Sequence, residues 1–128
     1  MRTAILTATV LVLGLGACFE VLGQTDHFVS ITVTNDKIDA PSPDPVRIAG
    51  RGHVIHWEIK TPGYSFASNG IVIHGDDAGE FDGGHSAEQG RKFQVNDKNS
   101  FQKTYKYTVN VMKGATPLAP LDPSIVND

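Results

Sequence analysis

The segment Tyr105–Met112 reads Y-K-Y-T-V-N-V-M and alternates without a break. Tyr105, Tyr107, Val109 and Val111 fall on one side of an extended chain, and Lys106, Thr108 and Asn110 on the other. That period of two marks a strand with one buried face. His27–Thr34 alternates in the same way, with Val29, Ile31 and Val33 opposite Ser30, Thr32 and Thr34. His53–Ile59 follows as H-V-I-H-W-E-I, with Ile55, Trp57 and Ile59 on one face. Trp57 is the only tryptophan. It is expected in the core, where its indole N–H requires a partner.

Turn residues separate these runs. Asn35-Asp36-Lys37 predicts a turn, after which Ile38 returns to the core. Pro41, Pro43 and Pro45 lack backbone donors and predict an extended edge or loop. Val46–Ala49 predicts a short strand, Gly50-Arg51-Gly52 a turn, and Thr61-Pro62-Gly63 the end of the Trp57 strand. Tyr64–Phe66 and Gly70–His74 predict two short strands with a turn at Ala67–Gly70 between them. Lys92–Val95 predicts another strand, Asn96–Ser100 a polar turn, and Leu121, Ile125 and Val126 the anchors of the tail. No 3.6-residue period of useful length follows the leader. The pattern predicts a single all-β domain over residues 24–128, an antiparallel Greek-key β-sandwich.

The amino terminus reads as a secretory leader. Met1-Arg2 is a short basic start, and Ala4–Leu15 is apolar but too short to span a bilayer, which takes about 20 residues. Two cleavage sites compete. Cutting after Gly23 leaves residues 24–128 with no cysteine, whereas Leu15-Gly16-Ala17-Cys18 resembles a bacterial lipobox that would make Cys18, the single cysteine, a lipidated first residue. Either route predicts an extracytoplasmic protein, with membrane attachment only through an anchor on Cys18. The net charge is −3. Without a Lys/Arg cluster to meet phosphates, nucleic acid is excluded as a partner.

From Gly75 to Gly90 glycine, aspartate, glutamate and serine dominate, with Phe81 the one large apolar residue. The composition predicts a long exposed loop, and loops of that length tend to carry function.

The succession V-I-H-W-E-I, G-Y-S-F, a glycine-rich loop, F-Q-V-N-D, Y-K-Y-T-V-N-V and L-D-P-S-I resembles the small extracytoplasmic cupredoxin-like domains, over roughly Phe28–Val126. The resemblance implies a cupredoxin-like or immunoglobulin-like sandwich. It does not extend to the blue-copper site, which needs a cysteine thiolate beside two histidines. The corresponding strand ends Val109-Asn110-Val111-Met112. The resemblance therefore implies a fold and no functional residue.

Candidate site residues come from the Gly75–Gly90 stretch. His74 and His85 flank Asp76, Asp77, Glu80 and Asp82. If the stretch folds back, two imidazoles and one or two carboxylates form a set suited to zinc, Cu(II) or nickel. The aspartate spacing departs from an EF-hand loop. His53 and His56, three apart, point to opposite faces of a strand and are not expected to share a metal. No serine lies in a nucleophile elbow and no glycine motif cradles phosphate, so no catalytic residue is assigned. The expected function is a non-catalytic binding or accessory module of the bacterial envelope, meeting an envelope protein or a small ligand through residues 75–90. The alternative is divalent-metal handling by His74, His85 and the loop carboxylates.

Overall fold

The computed structural model describes residues 24–128, so the leader, both cleavage sites and Cys18 lie outside the described residues. Eleven strands and no helix form among the described residues. They are β1 Thr25–Ile31, β2 Val33–Thr34, β3 Lys37–Ile38, β4 Val46–Ile48, β5 His53–Ile59, β6 Ser65–Ile73, β7 Phe81–Ala87, β8 Lys92–Asp97, β9 Lys103–Lys113, β10 Thr116–Pro117 and β11 Ser124–Asn127.

Two sheets make an all-β sandwich. One runs β1-β5-β8-β7, with β1 parallel to β5 and the other pairs antiparallel. The other is built on β9, the long alternating segment. β6 pairs along one side of β9, and β10 and β11 pair along the other. β4 extends that sheet in parallel beside β11. β2 and β3 form a separate hairpin whose turn residues Asn35 and Asp36 both hold positive φ, at 52° and 59°.

Every inward position of the defining strand is covered: Tyr105, Tyr107, Val109 and Val111 are all buried. Ile55, Trp57 and Ile59 face them from the other sheet and are fully buried. Trp57 Nε1 donates to Tyr107 OH at 3.2 Å, so the indole finds its partner across the core. Burial pushes the Tyr107 phenol far above its ordinary pKa, and it stays neutral.

Three local readings are corrected. Ala67–Gly70 is not a turn between two strands. β6 runs through it, and the register slips between Val109 and Val111, so the extra residues form an irregular bulge opposite β9. Gly70 is required there, because a Cβ would stand 2.7 Å from Phe66 Cβ. Asn96 and Asp97 continue β8 rather than opening a turn, since their backbones pair with β5 and β7. The Gly75–Gly90 stretch is only partly a loop. Phe81–Ala87 is the edge strand β7, joined antiparallel to β8 with a register shift between Asp82 and His85. Its glycines and polar side chains hide the strand pattern, but pairing with β8 and the edge-on packing of Phe81 against Tyr105, with centroids 4.9 Å apart, hold it in place.

Candidate functional site

The six candidate residues divide between two tasks. Asp76 and Glu80 build the loop. Asp76 Oδ1 accepts from Glu80 N at 2.7 Å and its Oδ2 from Phe81 N at 3.0 Å, which closes the loop onto the start of β7. Glu80 is not an exposed ligand. It is 1% exposed, and its carboxylate accepts from Ser100 N at 2.7 Å, from Phe101 N at 3.1 Å and from the Ser100 hydroxyl. A loop carboxylate thus pins the turn that leads into β9.

The other four lie at the surface. His74 Nε2–H donates to Thr108 Oγ1 at 2.7 Å, and the Thr108 hydroxyl donates in turn to Asp122 Oδ1 at 2.8 Å. His85 Nδ1–H donates to Gly83 O at 2.8 Å on β7. Asp82 Oδ1 accepts from Asn96 Nδ2 at 3.1 Å, with Lys98 Nζ 3.9 Å from Oδ2. Asp77 is exposed. Each histidine is thus oriented by its own neighbours. Among the described residues, no three His, Cys, Asp or Glu side chains are grouped to hold a metal.

What the stretch does create is a cleft. β6 and β7 are the facing edges of the two sheets, and the flank between them opens beside Phe81. The opening, about 220 Å³, is lined by Ile71 and Ile73 of β6, Phe81, Asp82 and Gly84 of β7, Phe93 and Val95 of β8, and Asp76. Five of its lining residues are apolar, and Asp76 and Asp82 are its two acidic ones. Gly84 keeps it open, since a Cβ there would lie 3.5 Å from the Phe93 ring, in ordinary contact. Further along, Phe66 N donates to Gly90 O at 2.7 Å and ties the flank shut.

A second polar group went unread in the sequence. His53, Asp97, Asn99 and Asn127 are buried together at one end of the core. Asp97 Oδ1 accepts from Asn99 N at 2.9 Å and from Asn127 Nδ2 at 3.0 Å, and Asp97 faces His53 across the β5–β8 pair. His53 Nδ1 and His27 Nε2 share a hydrogen bond of 2.8 Å. Burial raises the Asp97 carboxyl above its ordinary value, opposed by its two hydrogen bonds, while the Glu80 charge adds to the rise and His53 counters it.

The sequence did carry a signal for this group. His27 shares the inward period of Val29 and Ile31, His53 that of Ile55 and Trp57, Asp97 that of Phe93 and Val95, and Asn127 that of Ile125. Four strands therefore put a polar residue at one end of their apolar face. No family model matches this chain, and no curated protein matches it significantly.

Proposed function

We propose that this chain is an exported, non-catalytic binding module of the cell envelope, and that the cleft between β6 and β7 is its binding site. The observation that carries the reading is the chemistry of the cleft, an apolar wall of Ile71, Ile73, Phe81, Phe93 and Val95 with Asp76 and Asp82 at its polar side. A site of about 220 Å³ is smaller than the roughly 300–1,000 Å³ of drug-sized pockets. It suits a compact apolar group that carries positive charge, as a free amine or as a side chain of an envelope protein. Export rests on the basic-then-apolar leader, with release by a cut after Gly23 or tethering through Cys18 as its two routes. Kinship with cupredoxin-like domains belongs to the same reading. It is supported by the order of sequence segments and the all-β sandwich, and it brings no copper chemistry, because Val109–Met112 offers no thiolate.

The test is a titration of the protein with benzylamine and with benzoate, followed by backbone amide shifts. Benzylamine is expected to move the signals of Ile71, Ile73, Phe81 and Val95. Benzoate, of the same shape and opposite charge, is expected to bind at least about tenfold more weakly, a difference of about 1.4 kcal/mol. Equal response to both, or none to either, removes the cleft from consideration.

A further inference from the structure

The bulge in β6 carries an inference independent of the cleft and of export. Phe66 pairs with Val111 and Ile71 with Val109, so Ala67, Ser68, Asn69 and Gly70 together stand opposite Asn110 alone. These four residues have no register partner on β9, and the backbone there is released from the ladder that fixes the rest of the strand. Ser68 and Asn69 are exposed, whereas Gly70 is buried.

Of the six asparagines in the chain, only Asn69 precedes a glycine. A glycine leaves its own backbone nitrogen unhindered, because no Cβ crowds it. At this position the glycine cannot be exchanged, since a Cβ at Gly70 would stand 2.7 Å from Phe66 Cβ and 2.9 Å from its ring. The packing of β6 therefore keeps an unhindered nitrogen next to an exposed side-chain amide. The neighbouring strand adds a third group. Asn110 Nδ2 donates to Asn69 O at 2.8 Å. That oxygen belongs to the same peptide unit as the Gly70 N–H, so the bond stabilises the negative charge that spreads onto the oxygen when the nitrogen loses its proton.

We infer that Asn69-Gly70 is a site of self-modification, at which Asn69 is converted to aspartate and isoaspartate through a cyclic imide, with Asn110 as the positioning residue that promotes the step. Hydroxide or water takes the Gly70 N–H proton, and the nitrogen attacks Asn69 Cγ. The N–Cγ bond forms, the Cγ–Nδ2 bond breaks, and Nδ2 leaves as ammonia with a proton returned from solvent. Water then opens the imide ring. Addition at Cγ restores the ordinary backbone with an aspartate at position 69, whereas addition at the Asn69 carbonyl carbon routes the main chain through Cβ and Cγ as isoaspartate. The sum is one water consumed and one ammonia released, with no change of oxidation state. Either product adds one negative charge to the net −3. Isoaspartate also lengthens the main chain by one carbon, in the stretch of β6 where the register already accommodates extra length. The other asparagines are held differently. Asn99 and Asn127 are buried, with their amides donating to Gly50 O and Asp97 Oδ1. Asn96 is paired on both sides in β8, and Asn35 and Asn110 precede Asp36 and Val111, whose side chains hinder the attack.

The test incubates the purified chain at mildly alkaline pH and follows each asparagine-containing peptide by mass spectrometry, with isoaspartate read by isoaspartyl methyltransferase. The peptide carrying Asn69 is expected to gain one mass unit ahead of every other asparagine, at a rate proportional to hydroxide concentration. Asn69→Gln should abolish the gain, because glutamine would have to close a larger ring, and its exposed position lets the variant fold. Asn110→Ala should slow the gain by about threefold or more, the worth of one hydrogen bond, with the fold of the variant checked by Trp57 fluorescence. Were Asn110 only a brace for the bulge, its loss would speed the reaction instead, which overturns the role assigned to it. Earlier modification at another asparagine, no gain at Asn69, or a rate that rises in mild urea in step with the unfolded fraction would each overturn the site.

Discussion

Replacing Glu80 separates a residue that contacts a ligand from one that holds the fold. Its carboxylate accepts from Ser100 N, Phe101 N and the Ser100 hydroxyl, and Asp76 fixes its own backbone N–H. A hydrogen bond to a charged group contributes about 1.5–3 kcal/mol net. Ser100 and Phe101 are exposed, so water would reach their freed N–H groups after truncation and the loss falls short of the full sum. We expect Glu80→Ala to cost about 3 kcal/mol, and Glu80→Gln, which keeps one acceptor, about 1–2 kcal/mol. At about 5 °C per kcal/mol for a domain of this size, the alanine variant should melt roughly 15 °C lower. Urea unfolding followed by the fluorescence of Trp57, the sole tryptophan, gives the free energies directly. A surface ligand residue in a loose loop would change stability by no more than about 0.5 kcal/mol. That result for Glu80→Ala would refute the assignment.

Three further outcomes follow from the geometry. Tyr107→Phe leaves Trp57 Nε1 as a buried donor without its partner and should cost about 1–2 kcal/mol in the same urea assay, with the m-value unchanged. Asp97 has a folded pKa above its unfolded value of 3.8, so its ionisation costs stability above the folded pKa and the cost fades as the pH falls towards 3.8. The stability of Asp97→Asn relative to wild type should therefore be highest near neutral pH and fall on acidification; a relative stability that rises on acidification would contradict this. His27 is held below its ordinary 6.5, chiefly by burial and then by His53, so its contribution to stability is lost as the pH falls through about 6.5 towards the lowered folded value. His27→Gln should flatten that limb of the stability–pH curve.

The fold was legible wherever strand periodicity coincided with burial. β5 begins and ends where the H-V-I-H-W-E-I pattern does, and the Tyr105–Val111 face is the core. It was hidden where tertiary pairing overrides local chemistry. Ser65–Ile73 contains Ser68-Asn69-Gly70, which reads as a turn, yet pairing with β9 on either side of it absorbs it as a bulge. F-D-G-G-H-S-A has no apolar alternation, because β7 is an edge strand whose side chains are largely exposed, and its place is set by the partner β8. The same reason divides the candidate site. Sequence proximity grouped His74, Asp76, Asp77, Glu80, Asp82 and His85, but only Asp76 and Asp82 line the cleft. Most of the apolar wall comes from β6 and β8, which belong to different sheets and which spacing alone does not bring together. The buried polar group carried a readable signal, a polar residue on the inward period at one end of four strands. It shows as one cluster only when the register places His53 opposite Asp97 and Asn127 Nδ2 donates to the Asp97 carboxylate.

The most direct measurement is an amide-shift titration with benzylamine on wild type and on Gly84→Leu. A side chain at Gly84 enters ordinary contact with Phe93 and would fill the cleft with neither a backbone clash nor a forbidden φ. If the cleft is the binding site, wild type binds, with shifts centred on Ile71, Ile73, Phe81 and Val95, and Gly84→Leu stays folded and shows no response. Shifts of equal size in Gly84→Leu, or a response centred on other residues, would contradict it.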